Sequence, residues 1–249
     1  MTLGLPVTAP HDLADTVEAA WARHLQRHPA DFDGQILHLR SWSQTGAGLS
    51  FVLAPMRFAL QAARRSTDLP AELRDRIPGP LGLSVIPRTS DGRVILARRS
   101  TQVSIAQRSL FFFGGFGEPP QRDGSFDLAA EALRELREEL GTGFAVVAVG
   151  LLGMGEGPAG HQHAVFLADL DIPAAAVLAQ AGAAADAFEW DRLWAVTPEE
   201  LLRLSPSDLD AGPSSKAFEA GRQLLAAHLD LPPVAAGGQR QGGGTEWAP

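Results

Sequence analysis

Four glutamates between positions 131 and 139 are the densest cluster of reactive side chains in the sequence. On an α-helix, at about 100° per residue, Glu131, Glu135, Glu138 and Glu139 fall on one arc roughly 100° wide. Like charges at those spacings repel. Arg134 and Arg137 offset part of that repulsion, and a bound divalent cation would offset far more. Magnesium takes hard oxygen ligands and keeps several of its waters, so carboxylates on a rigid helix suit it. The bland alternative is a solvated charged face.

The helix that must carry these acids is itself legible. Leu128, Ala132, Leu136 and Leu140 recur every four residues, with Leu133 beside them, which makes a stripe facing a core. Ser125 or Asp127 can cap its start, and Gly141 can end it in a left-handed turn. Upstream, Leu110 to Phe113 reads as an apolar strand running into Gly114-Gly115. Glycine there lets the backbone pass close to a ligand.

Arg134-Glu135-Leu136-Arg137-Glu138-Glu139-Leu140-Gly141 reads R-E-U-x-E-E-x-G, with U an apolar residue. This resembles the second half of the Nudix box, G-x5-E-x7-R-E-U-x-E-E-x-G-U. The first half departs from the pattern. Counting back from Arg134, the glutamate falls at Phe126 and the glycine at Pro120, and the last apolar position is Thr142. With Gly115 as the motif glycine, the loop before the helix is lengthened, and Glu118, Asp123 and Asp127 are the candidates for the upstream acid. The run GGFGEP with that longer loop resembles the two-domain UDP-glucose pyrophosphatase branch of the superfamily. Pro80-Leu81-Gly82, Trp21 to Leu25 and Phe32-Asp33-Gly34 share in the resemblance.

The resemblance implies a fold of class α/β (α+β): a Nudix α/β/α sandwich with a mixed sheet, behind a small N-terminal α+β domain. It implies Glu135, Glu138 and Glu139 as ligands of Mg2+ (or Mn2+), with Glu118 adding a ligand from the loop. One of the helix glutamates would serve as base, and Arg134 would orient a helix glutamate. The implied reaction is hydrolysis of a small-molecule nucleotide sugar, UDP-glucose or UDP-galactose, to UMP and sugar 1-phosphate. Two alternatives stand beside it: a pyrophosphatase acting on another nucleoside diphosphate derivative such as ADP-ribose, and a binding module of the same fold without turnover.

Candidate substrate-binding residues lie outside the helix. Arg98 and Arg99 end a strand, where one guanidinium could reach a diphosphate, or both could be solvated. Gly114 and Gly115 offer bare backbone. Glu189 precedes an aromatic strand with Trp190 and Trp194, whose indoles read as core. Lys216, after Ser214-Ser215 at a helix start, could meet an anion; the alternative is a serine cap and a solvated lysine. His161 and His163 share a strand face, but with no cysteine or third histidine to complete a zinc site they read as packing or surface residues.

Bulk properties set the frame. The chain has 249 residues, of which 45% are hydrophobic, ample for a core. A net charge of −8 argues against a general nucleic-acid surface. There is no cysteine and no apolar run of membrane-spanning length, and the first residues lack a signal-peptide pattern, so a cytoplasmic protein without a membrane partner is expected. The expected division is a small α+β domain over 1–78, a Nudix domain over 79–231 and a disordered tail over 232–249. Within the first, a helix over 12–28, strands over 35–43 and 48–54 and a helix over 58–65 are expected, with little core of their own. The Asp91-Gly92 pair predicts a hairpin between strands 81–88 and 93–99. Strands over 144–154, 161–169 and 188–196 and a closing helix over 217–229 follow.

Overall fold

The computed structural model describes residues 2–45, 48–103, 106–120, 126–157, 161–232 and 245–247. Asp123 and Ser125, two of the residues weighed above, lie outside this set. The chain divides into two compact units. The first comprises residues 1–82 together with 116–128 and 159–162. The second holds the rest.

The first unit contains β1 (Thr2–Leu3), α1 (Ala14–Arg27), β2 (Gln35–Thr45), β3 (Gly48–Arg57), α2 (Phe58–Arg65) and α3 (Ala71–Arg76). Its sheet runs β1-β3-β2, with β1 parallel and β2 antiparallel to β3. In α1, Val17, Ala20 and Trp21 are buried at helical spacing, and the helix stops two residues before Pro29. In α2, Ala59 to Ala63 are buried in succession. A helix buried on every side is an interior element. It joins Leu13, Val17, Trp21, Ile36, Met56, Leu69 and Ile77 in one apolar cluster. This corrects the expectation of little core: alanine is small enough for α2 to sit inside the unit. Phe116 packs on the same cluster, and the Leu37 amide donates to the Gly117 carbonyl at 2.7 Å. The start of the 116–128 segment thus runs beside β2, although the sequence reading had assigned it to the second domain.

The second unit is built on a sheet ordered β10-β9-β5-β4-β8-β7, with β6 paired to β5. Its strands are β4 (Gly82–Arg88), β5 (Val94–Arg99), β6 (Leu110–Phe111), β7 (Val146–Glu156), β8 (Gln162–Leu170), β9 (Trp190–Val196) and β10 (Thr245–Trp247). Its helices are α4 (Leu128–Leu140), α5 (Ala174–Ala181), α6 (Pro198–Arg203) and α7 (Lys216–His228). The chain is thus a mixed α+β protein, and its sheets include parallel and antiparallel pairs. Gly92, at φ +77°, makes the turn between β4 and β5. Its amide donates to the Thr89 carbonyl. The strand expected over 110–113 is shorter, because Phe113 leaves β5 and bridges Val85 instead. Thr245 to Trp247 pair antiparallel with β9. Residues 233–244 lie outside the described set. Among the described residues no helix is long and apolar enough to cross a membrane.

Period two along β5 separates the two faces of this sheet. Val94 and Leu96 join Leu110, Phe112, Trp194, Val196, Phe218 and Leu225 in one cluster, so this face carries α7. Phe112 and Phe218 stack at 4.7 Å between ring centroids. The opposite face carries α4. There Trp190, paired with Arg99 in the β5–β9 register, donates its indole N–H to the Glu139 carbonyl at 2.9 Å. The stripe Leu128, Ala132, Leu136 and Leu140 is buried throughout. Since Phe218 is 1% exposed and anchors α7, Phe218→Ala should lower the unfolding free energy by about 3–5 kcal/mol in a denaturant titration. A loss below about 1 kcal/mol would show that α7 contributes little to this core.

Candidate active site

Glu139 is the innermost acid of α4, at 2% exposure. Its Oε1 accepts from the Gly114 amide at 2.8 Å, and its Oε2 is buried with no hydrogen-bond partner among the described residues. Gly114 sits at φ +137°, and a Cβ there would collide with the Leu83 carbonyl, so only glycine can hold that amide in place. At Gly115 a Cβ would come within 2.5 Å of Glu135 Oε2. The glycine pair therefore serves two acids, one by donating a bond and one by leaving room.

Arg134 gathers the remaining acids of the helix. Its Nη2 bonds Glu131 at 2.7 Å and Glu135 at 2.6 Å, and its Nη1 bonds Glu138 at 2.5 Å. Across from them Arg99 Nη1 bonds Glu189 at 3.1 Å, and its guanidinium lies 4.4 Å from the centroid of the Phe111 ring. The Asp186 amide donates to the Glu138 carbonyl, which ties the segment before Glu189 to the helix.

Burial is the main cause of the altered acidities. Desolvation pushes the Glu135 carboxyl up to about 7, with Arg134 opposing the rise and Glu138, Glu131 and Glu189 adding to it. Desolvation also holds Glu139 well above the usual carboxylate range, and Glu189 and Glu135 add to it against Arg99 and the Gly114 amide. Glu189 is raised by burial despite Arg99. Glu135, Glu139 and Glu189 are thus all raised chiefly by burial, with Arg134, Arg99 and the Gly114 amide opposing the rise.

The sequence candidates separate on this geometry. Glu135, Glu138, Glu139 and Arg134 lie on α4, and Gly114, Gly115, Arg99 and Glu189 adjoin them. Arg98 does not. It points to the α7 face, where it bonds Asp191 at 2.7 Å and the Asp210 carbonyl at 2.7 Å. Adjacent residues on a strand face opposite ways, so Arg98 and Arg99 cannot share one ligand. Lys216 begins α7 and pairs with Glu156 at 2.7 Å, on the same side of the sheet as Arg98. Ser215 caps α7 by accepting from the Phe218 amide. Glu118 belongs to the first unit and is exposed. His163 is buried and hydrogen-bonded to Ser84 at 3.1 Å, a packing arrangement. Sequence reasoning had no sign of Phe111 beneath Arg99, or of the bond from Trp190 to the helix backbone.

Among the described residues no three His, Asp or Glu side chains converge as a ready-made cage for a metal ion. Magnesium does not require one, since it binds through one or two carboxylates with waters and substrate phosphates filling the other positions. The partnerless Oε2 of Glu139 and the all-oxygen donor set fit such an ion.

No family model and no curated protein matches the chain. Among solved structures it is similar to the MutT protein from Methanosarcina mazei Go1, at 15% identity and a TM-score of 0.39, over 60% of this chain and 94% of that one. It is also similar to a Nudix hydrolase from M. smegmatis, at 18% and 0.37, over 64% and 89%. A mutT/nudix family protein from Listeria innocua stands at 20% and 0.38, over 61% and 94%. Likeness at this level carries no functional weight, and the chemistry rests on the residues.

The raised acidities give a pH signature. A carboxyl whose folded pKa exceeds its unfolded value stabilises the fold fully below the unfolded value, near 4.5, and loses that contribution as pH rises through the folded value, about 7 for Glu135. For Glu135 alone this is on the order of 3 kcal/mol. The melting temperature without divalent cation should therefore fall between pH 5 and pH 8, and fall less in Glu139→Gln. Millimolar Mg2+ should raise it more at pH 8 than at pH 5. Identical pH curves for the wild type and the variant, unchanged by Mg2+, would mean that the acids behave as a solvated face.

Proposed function

We propose that the chain is a Nudix-type, divalent-metal-dependent pyrophosphatase. The observation that carries this reading is Glu139: a carboxylate buried on an R-E-L-R-E-E-L-G helix, one oxygen fixed by a glycine amide and the other without a partner among the described residues. A structural acid would be expected to satisfy both oxygens or lie in solvent. An acid reserved for a cation need not.

Glu135, Glu138 and Glu139 would hold Mg2+ or Mn2+. The metal, when bound, would polarise the phosphoryl group and lower the pKa of a coordinated water. Arg134 is a positioning residue that fixes Glu135 and Glu138 against their mutual repulsion. Arg99, flat against Phe111 and bonded to Glu189, is the guanidinium best placed to meet a diphosphate oxygen. Arg98 and Lys216 are left out of the site because both are engaged on the α7 side. Water adds to one phosphorus of the diphosphate, the bridging P–O bond breaks, and the products are two monophosphates.

Within this class we favour nucleotide sugars, with UDP-glucose and UDP-galactose giving UMP and sugar 1-phosphate. The support is the GGFGEP run, the lengthened loop before α4, and the N-terminal unit. Chromatographic analysis of the products from a panel of nucleoside diphosphate derivatives with Mg2+ tests both levels. UDP-sugars should give the highest kcat/KM. A higher value for ADP-ribose would overturn the sugar reading and keep the pyrophosphatase. No turnover of any anhydride would overturn both. Glu139→Gln and Glu135→Gln should each cost about a hundredfold or more in kcat while the far-ultraviolet circular dichroism stays unchanged.

A further inference from the structure

β7 ends the second sheet, and among the described residues no strand pairs with its outer edge. Natural edge strands are blunted by charge, proline, bulges or short length. β7 has eleven residues, VVAVGLLGMGE, with no proline and no charge before Glu156. Val147 is 72% exposed and Val149 37% exposed. Such an edge offers unpaired backbone and apolar side chains together.

The two halves of the strand differ in a way that fits a two-fold axis. α7 crosses only the C-terminal half: a Cβ at Gly153 would meet Leu224 at 2.8 Å, and one at Gly155 would meet Ala220 at 2.5 Å. Beside this crossing lies an open groove of about 480 Å³, walled by Gly155, Ala220 and Leu224 together with the polar Glu219 and Gln223, and rimmed by Glu156 and Lys216. Among the described residues nothing covers the N-terminal half, with its valines, in this way.

We propose that β7 pairs antiparallel with β7 of a second copy of this chain, centred on Leu151. In that register Val147 stands opposite Gly155 and Val149 opposite Gly153. Directly opposed residues of an antiparallel pair share a sheet face, so Val147 reaches the groove at the other copy's Gly155 and Val149 lies beside α7 at its Gly153. Each valine meets a glycine, Leu151 meets Leu151 on the axis, and the contact is closed because each copy gives the same patch. Charge agrees with shape. The chain carries −8 overall, but the only charge on the strand, Glu156, is bonded to Lys216 at 2.7 Å. Pairing the strand with itself therefore brings no uncompensated like charges together. This dimer is independent of the catalytic reading.

Sedimentation velocity of the full chain tests it. The wild type should show a reversible dimer whose population grows with concentration. Val147→Asp with Val149→Asp should weaken association by about a hundredfold, because buried carboxylates facing Glu219 and Glu156 would lack cationic partners. Both positions are exposed, so melting temperature and circular dichroism should match the wild type. The natural chain has no cysteine, so Leu151→Cys should form a disulfide-linked dimer under mild oxidation and Val146→Cys should not. A wild type that stays monomeric up to about 100 µM overturns the proposal and leaves the edge to a different partner. A dimer of undiminished affinity in the double aspartate variant, or one that cross-links through Val146→Cys but not Leu151→Cys, also overturns it.

Discussion

Burying a carboxylate is among the more expensive things a protein does, and the second unit is arranged around one. Removing Glu139 from water costs several kcal/mol unless the charge is neutralised or paired. One hydrogen bond from the Gly114 amide offsets part of that cost. The remainder explains features that look unrelated in the sequence. Gly114 must be glycine to turn its amide inward past Leu83. Trp190 must be large and carry an N–H, because it pins the carbonyl of the same residue. The leucine stripe of α4 must be unbroken, because apolar burial is what holds the costly residue in place.

The sheet divides the labour between its faces. On the α7 side aromatic stacking and the Arg98 pairs with Asp191 and Asp210 knit the strand ends to the closing segment. On the α4 side the cationic groups, Arg99 and Arg134, are both bonded to acids. Stability is thus concentrated on one face, and the uncompensated negative charge on the other. Local instability of this kind is common where a protein must respond to a ligand.

The helix and the β4–β5 hairpin were legible because each has a local cause. A four-residue apolar repeat can only be satisfied by a helix with one face inside, and Asp91-Gly92 supplies the positive φ its turn needs. The rank order of the four glutamates was not legible. Glu131, Glu135, Glu138 and Glu139 look alike on a helical projection, and only the approach of the Gly114 backbone selects Glu139 for burial. The roles of Arg98 and Arg99 were hidden for another reason. β5 is apolar at Val94, Ile95, Leu96 and Ala97 alike, so its pattern does not say which face meets which helix. The core of the first unit was underestimated because Ala59, Ala62 and Ala63 read as helix formers rather than as the small residues that let a helix sit fully inside.

The anchoring at Gly114 has a consequence for the chain between it and α4. One end of that stretch is pinned by the bond to Glu139, and the other by the helix stripe and the Trp190 bond. Between fixed ends the entropic cost of extra chain grows only with the logarithm of its length. The motif spacing would leave about seven residues here and the sequence has twelve, 116 to 127; for a flexible chain that difference costs only about half a kcal/mol. The segment can therefore change in length and composition while the buried acid stays where it is.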